Sequence, residues 1–157
     1  MSTVSKPDFQ TVRHNIEKAL SLLYRDDLFL ITNCSEERAI THKLAEYIQL
    51  LFPEWHVDCE YNRLAEDAKD INGQRTSYPD IIVHRRNTHD NLLVIEAKSI
   101  HSRNHSDIKD KQKIAAYIND ARYGYYYGLW ICFYDDLTQT QLDWFENHNG
   151  VCSEMLI

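Results

Sequence analysis

Residues 78–98 hold two short apolar runs, Ile81-Ile82-Val83 and Leu92-Leu93-Val94-Ile95, separated by turn-forming polar residues from Asn87 to Asn91. This pattern predicts two strands folded into a hairpin. The charges at its open end constrain the fold further. Asp80 opens the first strand, and Glu96 and Lys98 lie near the end of the second. Residues two apart on a strand point the same way, so Glu96 and Lys98 share a face and Ala97 takes the other. Closing the hairpin carries Asp80 toward that pair. Two carboxylates and an ammonium beside an apolar strand are costly unless they are paired or hold a cation, so the cluster points to chemistry.

A chain of 157 residues can bury about two thirds of its unfolded surface, and a single domain over residues 1–157 is expected. No apolar run approaches the roughly 20 residues of a membrane span, and the N-terminal stretch carries no secretory signature, so a cytoplasmic protein without membrane contact is expected. Cys34, Cys59, Cys132 and Cys152 are scattered without a Cys-x-x-Cys pair, which argues for reduced thiols over a disulfide framework or zinc ribbon. His101 and His105 have a spacing that suits zinc on a helix. They fall in a polar, loop-like stretch without an obvious third ligand, and zinc is not assigned there.

The net charge of −7 opposes contact with nucleic acid. Its distribution does not. Residues 81–122 carry eight Lys and Arg against five Asp and Glu, whereas residues 123–157 carry none against five. A local field governs steering more than the total charge does.

Helical spacing predicts a first helix from an Asp8 cap to about Tyr24 and a second from a Ser35 cap to before Pro53. Glu37 falls on the buried edge of the second helix. Acids in a first turn also simply favour a helix N-terminus. Leu28 to Ile31 fits strand, helix end or loop. Trp55 to Tyr61 alternates as a strand, residues 62–77 read as a polar loop, and Asp107 to about Ala121 reads as a helix. Tyr125 to Tyr134 is apolar on both faces, as a central strand covered on both sides would be. Tyr123, Tyr125, Tyr126 and Tyr127 are core residues first and stacking platforms second. A final helix is expected over residues 139–148.

The order of acids and elements, with Pro79-Asp80, fifteen residues, then Glu96-Ala97-Lys98, resembles the PD-(D/E)XK nuclease superfamily across roughly residues 35–134. The phrases Cys59-Glu60-Tyr61-Asn62-Arg63 and Tyr78-Pro79-Asp80-Ile81-Ile82-Val83-His84 are similar to those of small uncharacterised bacterial members. The resemblance implies an α/β fold with a restriction-endonuclease-like core, a mixed sheet of about four strands flanked by helices. It implies Asp80 and Glu96 as ligands of magnesium, with manganese as a substitute and the Ala97 carbonyl nearby. Lys98 would orient or help deprotonate water and offset phosphate charge. Glu37 matches an acid that members place on the preceding helix, and Glu60 is an alternative to it. Lys113 and Tyr117 on the following helix would contact phosphate. Arg85 and Arg86 at the hairpin turn are candidates for binding the nucleic-acid backbone, although lysines and arginines in such places also serve as solvated surface. A Gln-x-x-x-Tyr pattern of part of the superfamily is absent, since Gln112 stands five residues before Tyr117.

Two carboxylates and a backbone carbonyl suffice for a hard cation that keeps several waters, and such a cation supports phosphodiester hydrolysis. The expectation is a magnesium-dependent nuclease cutting DNA, with a homodimer as one assembly that could surround a duplex. The alternative is a catalytically inactive nuclease-fold interaction module in a defence or repair assembly. A third reading is a metal-independent nucleic-acid binder that uses the tyrosine strand.

Overall fold

The computed structural model describes residues 5–33, 36–60, 78–102 and 107–157. The predicted Ser35 cap, the polar stretch 62–77, Cys34 and His105 lie outside the described residues.

Helix α1 (Phe9–Asp26) starts where the Asp8 carboxylate accepts a 2.8 Å hydrogen bond from the Thr11 N–H, which satisfies one of the donors a helix leaves free at its start. Its apolar stripe, Val12, Ile16, Leu20 and Leu23, is fully buried or nearly so. A short helix α2 (Leu28–Thr32) settles the ambiguous run after it. Helix α3 (Glu37–Leu51) packs Ile40, Leu44 and Ile48 beside the α1 stripe.

Among the described residues the strands form one six-stranded mixed sheet in sequential order: β1 (His56–Cys59), β2 (Ile81–His84), β3 (Asn91–Ser99), β4 (Tyr127–Phe133), β5 (Gln141–His148) and β6 (Val151–Glu154). Neighbours run antiparallel except β3 and β4, which are parallel and joined through helix α4 (Asp107–Asn119). The expectation of about four strands is therefore corrected to six. The helix expected over residues 139–148 is instead the strand β5, paired with β4 on one side and β6 on the other. Two features set this hairpin. Leu142 and Trp144 alternate onto the main core, and Asn149 and Gly150 both take positive φ, 52° and 88°, in the two-residue turn that right-twisted hairpins favour.

The sheet separates two cores. Leu93, Ile95, Leu129, Ile131 and Trp144 face α1 and α3. Ile82, Val94, Trp130 and Phe145 face α4. Every residue of β4 is buried, as the doubly apolar sequence predicts for a covered central strand. Tyr123, Tyr125 and Tyr127 are core residues, and Tyr126 is partly exposed. Gly128 lies under α4 where a Cβ would stand 2.3 Å from Ile114 Cγ2, so only glycine lets the helix sit this close. Cys59, Cys132 and Cys152 are free thiols. Among the described residues no helix is long and apolar enough to cross a membrane.

Candidate active site

The α4-facing side of the sheet is split along its strands. Ile82, Val94, Gly128 and Phe145 form an apolar half that receives Ile114, Tyr117 and Ile118 of α4. Toward the carboxyl end of β3 the same face turns charged with Glu96 and Lys98, and the first turns of α4 answer with Asp110, Lys111 and Lys113. Lys111 Nζ lies 2.7 Å from Asp143 Oδ2 on β5. Ligand sites in α/β sheets gather at such carboxyl ends, where a helix crossover opens a crevice.

The hairpin brings its charged end together as expected. Ile81 pairs with Ile95, the last register pair of β2 with β3. Beyond it the Ala97 N–H donates a 2.8 Å hydrogen bond to Asp80 Oδ2, so the Asp80 side chain continues the ladder where the strand stops. Two residues further along the same edge, Glu37, in the first turn of α3, accepts a 2.8 Å hydrogen bond from the Ser99 N–H through Oε2. Two carboxylates thus cap successive N–H groups along the one edge of β3 that β2 leaves uncovered, and Lys98 stands between those two residues in the strand. Its ammonium stands 4.0 Å from Glu37 Oε1 and 3.8 Å from Asp110 Oδ2.

Glu96 is only 3 % exposed. Burial, and then the charge of Asp80, pushes its carboxyl up to about 8, against the opposing pull of Lys113. Lys113 Nζ lies 2.8 Å from Glu96 Oε1 and donates a 2.7 Å hydrogen bond to the Tyr78 carbonyl, so it ties α4 to the entrance of β2. Asp110 is likewise raised, chiefly by burial, with Lys98 opposing.

These groups line a cleft of about 310 Å³. Its walls carry the acids Glu37, Glu60, Asp80, Glu96 and Asp110 against Arg38, Lys98 and Lys113, an excess of two negative charges when all are ionised. Glu60 spends part of its charge on Arg38, 3.0 Å away. The cleft thus joins a surplus of carboxylate charge to a buried Glu96 whose carboxyl is pushed up chiefly by burial. Among the described residues no three His, Cys, Asp or Glu side chains converge into a complete cage. Asp80, Glu96 and Ala97, the residues the sequence offers to a hard cation, all line the cleft.

Of the sequence candidates, Glu37, Asp80, Glu96, Ala97, Lys98 and Lys113 all line this cleft. The remaining three lie elsewhere. Tyr117 is 1 % exposed and packs edge-on against Tyr123 in the second core, so its expected phosphate contact is corrected to a packing role. Arg85 stacks over Trp55, 4.0 Å from the ring centre, and pairs with Asp90. Arg86 grips Asp58 with two of its nitrogens. Asp58 also meets the fully buried His84 at 2.7 Å, and although burial raises its carboxyl, these partners hold it below the ordinary range. Both arginines thus brace the turn end of the hairpin, away from the cleft.

Asp110 was missed. Its signal was present in the sequence, since counting back one turn from Ile114 and two from Tyr117 puts an acid on the buried stripe of α4. His101 pairs with Asp135 at 2.7 Å.

No protein-family model, no curated protein and no solved structure matches this chain.

Proposed function

We propose that the chain is a magnesium-dependent phosphodiesterase with a restriction-endonuclease-like core of the PD-(D/E)XK type, cutting DNA. The observation that carries this reading is the hydrogen bond from the Ala97 N–H to Asp80, which sets Asp80 beside Glu96 and Lys98 at one end of a parallel strand pair. Asp80, Glu96 and the Ala97 carbonyl would hold magnesium, or manganese in its place. When bound, the ion supplies charge stabilisation at phosphate and an activated water.

The chain's own groups divide the remaining work. Lys98 faces the cleft between Glu37 and Asp110, where it orients a water and offsets phosphate charge. Glu37 fixes the Lys98 backbone through the adjacent Ser99 amide and limits the reach of its ammonium. Lys113 is the lysine that α4 adds to the cleft and a contact for a non-bridging phosphate oxygen. A second copy of the chain would complete the surface around a duplex.

The rival reading is an inactive nuclease-fold interaction module. One observation favours it: Lys113 already neutralises Glu96 as a resident counter-ion. Incubating the protein with single-stranded, duplex and branched DNA in Mg²⁺ or Mn²⁺ separates the two. The proposal expects cleavage that Asp80→Asn and Lys98→Ala each reduce by at least about a hundredfold, on the scale of removing one catalytic proton-transfer group. Wild-type protein without cleavage would assign the chain to the rival class, and variants that cut as well as the wild type would remove Asp80 and Lys98 from the mechanism.

A further inference from the structure

A second cleft, of about 410 Å³, opens on the far side of Lys98. Its floor follows from strand register. Lys98 pairs with Cys132 and Cys132 with Gln141, so these three side chains form one row across β3, β4 and β5 on the α4 face. Trp130 is one alternation back along β4 and Tyr134 one alternation forward, both lining the same cleft, with Asp107 at the start of α4 above them.

The row changes character along its length. At β3 it is cationic, at β4 it is sulfur flanked by two aromatic rings, and at β5 it ends in a carboxamide that both donates and accepts hydrogen bonds. The two inter-strand steps from Lys98 to Gln141 span roughly 10 Å. A phosphate held at Lys98 therefore has, within reach of its own sugar and base, an aromatic-walled recess with a hydrogen-bonding edge at its far end. The volume lies in the range of small-molecule sites, roughly 300–1,000 Å³.

We propose that this cleft is a nucleobase subsite, which takes one unstacked base of a nucleic-acid strand whose neighbouring phosphate lies against Lys98. The inference rests on the phosphodiesterase reading and deepens it. Tyr134, half-buried, offers its ring to the base, and Gln141 reads the base edge. Trp130, only 6 % exposed, supplies an apolar floor and carries the Lys111 ammonium 4.8 Å from its ring centre. A base inside a duplex is stacked on both faces and cannot enter, so the substrate class is a single strand, a frayed end or an extruded nucleotide.

The test scans one abasic residue along a labelled single-stranded oligodeoxynucleotide and measures binding by anisotropy in EDTA and cleavage in Mn²⁺. A matched fully paired duplex is run beside it. The expected result is weaker binding, by at least about fivefold, when the abasic residue adjoins the cleaved phosphate, on the scale of one lost base–aromatic stack. Gln141→Leu and Tyr134→Ala should each make the protein indifferent to the abasic position, and the exposed Gln141 makes the first substitution structurally mild. Cleavage that treats abasic, single-stranded and duplex substrates alike would overturn the subsite and leave the phosphodiesterase reading standing. If nothing is cut, titration with a nucleoside 5′-monophosphate decides. A shift of the Gln141 side-chain amide resonances supports the subsite without hydrolysis, and unmoved resonances overturn it.

Discussion

Lys113 and Glu96 meet at 2.8 Å, with 17 % of one side chain and 4 % of the other exposed, at the point where α4 crosses the end of β3. The ammonium occupies one side of the carboxylate that the proposed function gives to a metal ion. Structure and chemistry are joined at this pair, because the group that makes a buried Glu96 tolerable is also one the proposed function gives to phosphate. Lys113→Met keeps most of the apolar stem and removes the charge. The variant should lose about 1–3 kcal/mol of stability at pH 9 and less at pH 6, where Glu96 accepts a proton instead. Urea denaturation in EDTA at the two pH values measures the difference, and an equal loss at both would show that the pair is not electrostatically coupled.

The pH profile of the wild-type protein carries a second consequence. Glu96 titrates near 8 in the folded chain against an ordinary value of 4.5. Between those limits the folded state binds more protons than the unfolded state, so stability in chelated buffer falls as pH rises through that window. Glu96→Gln should flatten this slope and raise the melting temperature at pH 8 by more than the roughly 2–4 °C that 1 kcal/mol represents in a domain of this size. Melting curves from pH 5 to pH 9 for the two proteins check it, and parallel slopes would contradict it.

The fold reaches the site through Gly128. A methyl group there would meet Ile114 at 2.3 Å and Ile118 at 3.1 Å, both of them core residues of α4. Gly128→Ala should cost about 1–3 kcal/mol by overpacking. It should also push α4 outward, which lengthens the contacts of Lys113 with Glu96 and of Asp110 with Lys98. The expected signature is a lower urea midpoint together with reduced cleavage, although no residue of the cleft has changed.

Metal binding predicts stabilisation that grows with the logarithm of ion concentration above the dissociation constant. Mn²⁺ should raise the melting temperature of the wild-type protein at pH 7.5, and Asp80→Asn should abolish the rise. Lys113→Met should enlarge it, because the resident counter-ion no longer competes with the metal for Glu96. Titration calorimetry gives the same comparison without heating, and a metal response unaffected by Asp80→Asn would place the ion elsewhere.

Much of this site was legible in the sequence because strand alternation is a strict rule. Glu96 and Lys98 had to share a face, and a hairpin closed over Asn87 to Asn91 had to return Asp80 to them. The clamp of Glu37 on Ser99 was legible only in part: helical spacing put the acid on the buried edge, but the depth at which α3 sits is decided by packing of Ile40, Leu44 and Ile48 on α1 and the sheet. The error at residues 139–148 arose from weighing a short polar and apolar mixture as helical while passing over Asn149-Gly150, the turn signal that fixes β5 and β6 as a hairpin. The phosphate contact expected of Tyr117 came from the resemblance and not from its place on the helix. Four positions, one turn, carry the same face of the helix from the charged end of the sheet onto its apolar half, so Lys113 reaches the cleft and Tyr117 enters the core.

A crystal structure of the wild-type protein soaked in Mn²⁺, with anomalous difference density collected at the manganese edge, tests the central claim most directly. The account predicts a peak in coordinating contact with both Asp80 and Glu96, and a Lys113 ammonium moved off Glu96 toward the open cleft. A map without a peak at saturating Mn²⁺, and with Lys113 still seated on Glu96, would contradict it.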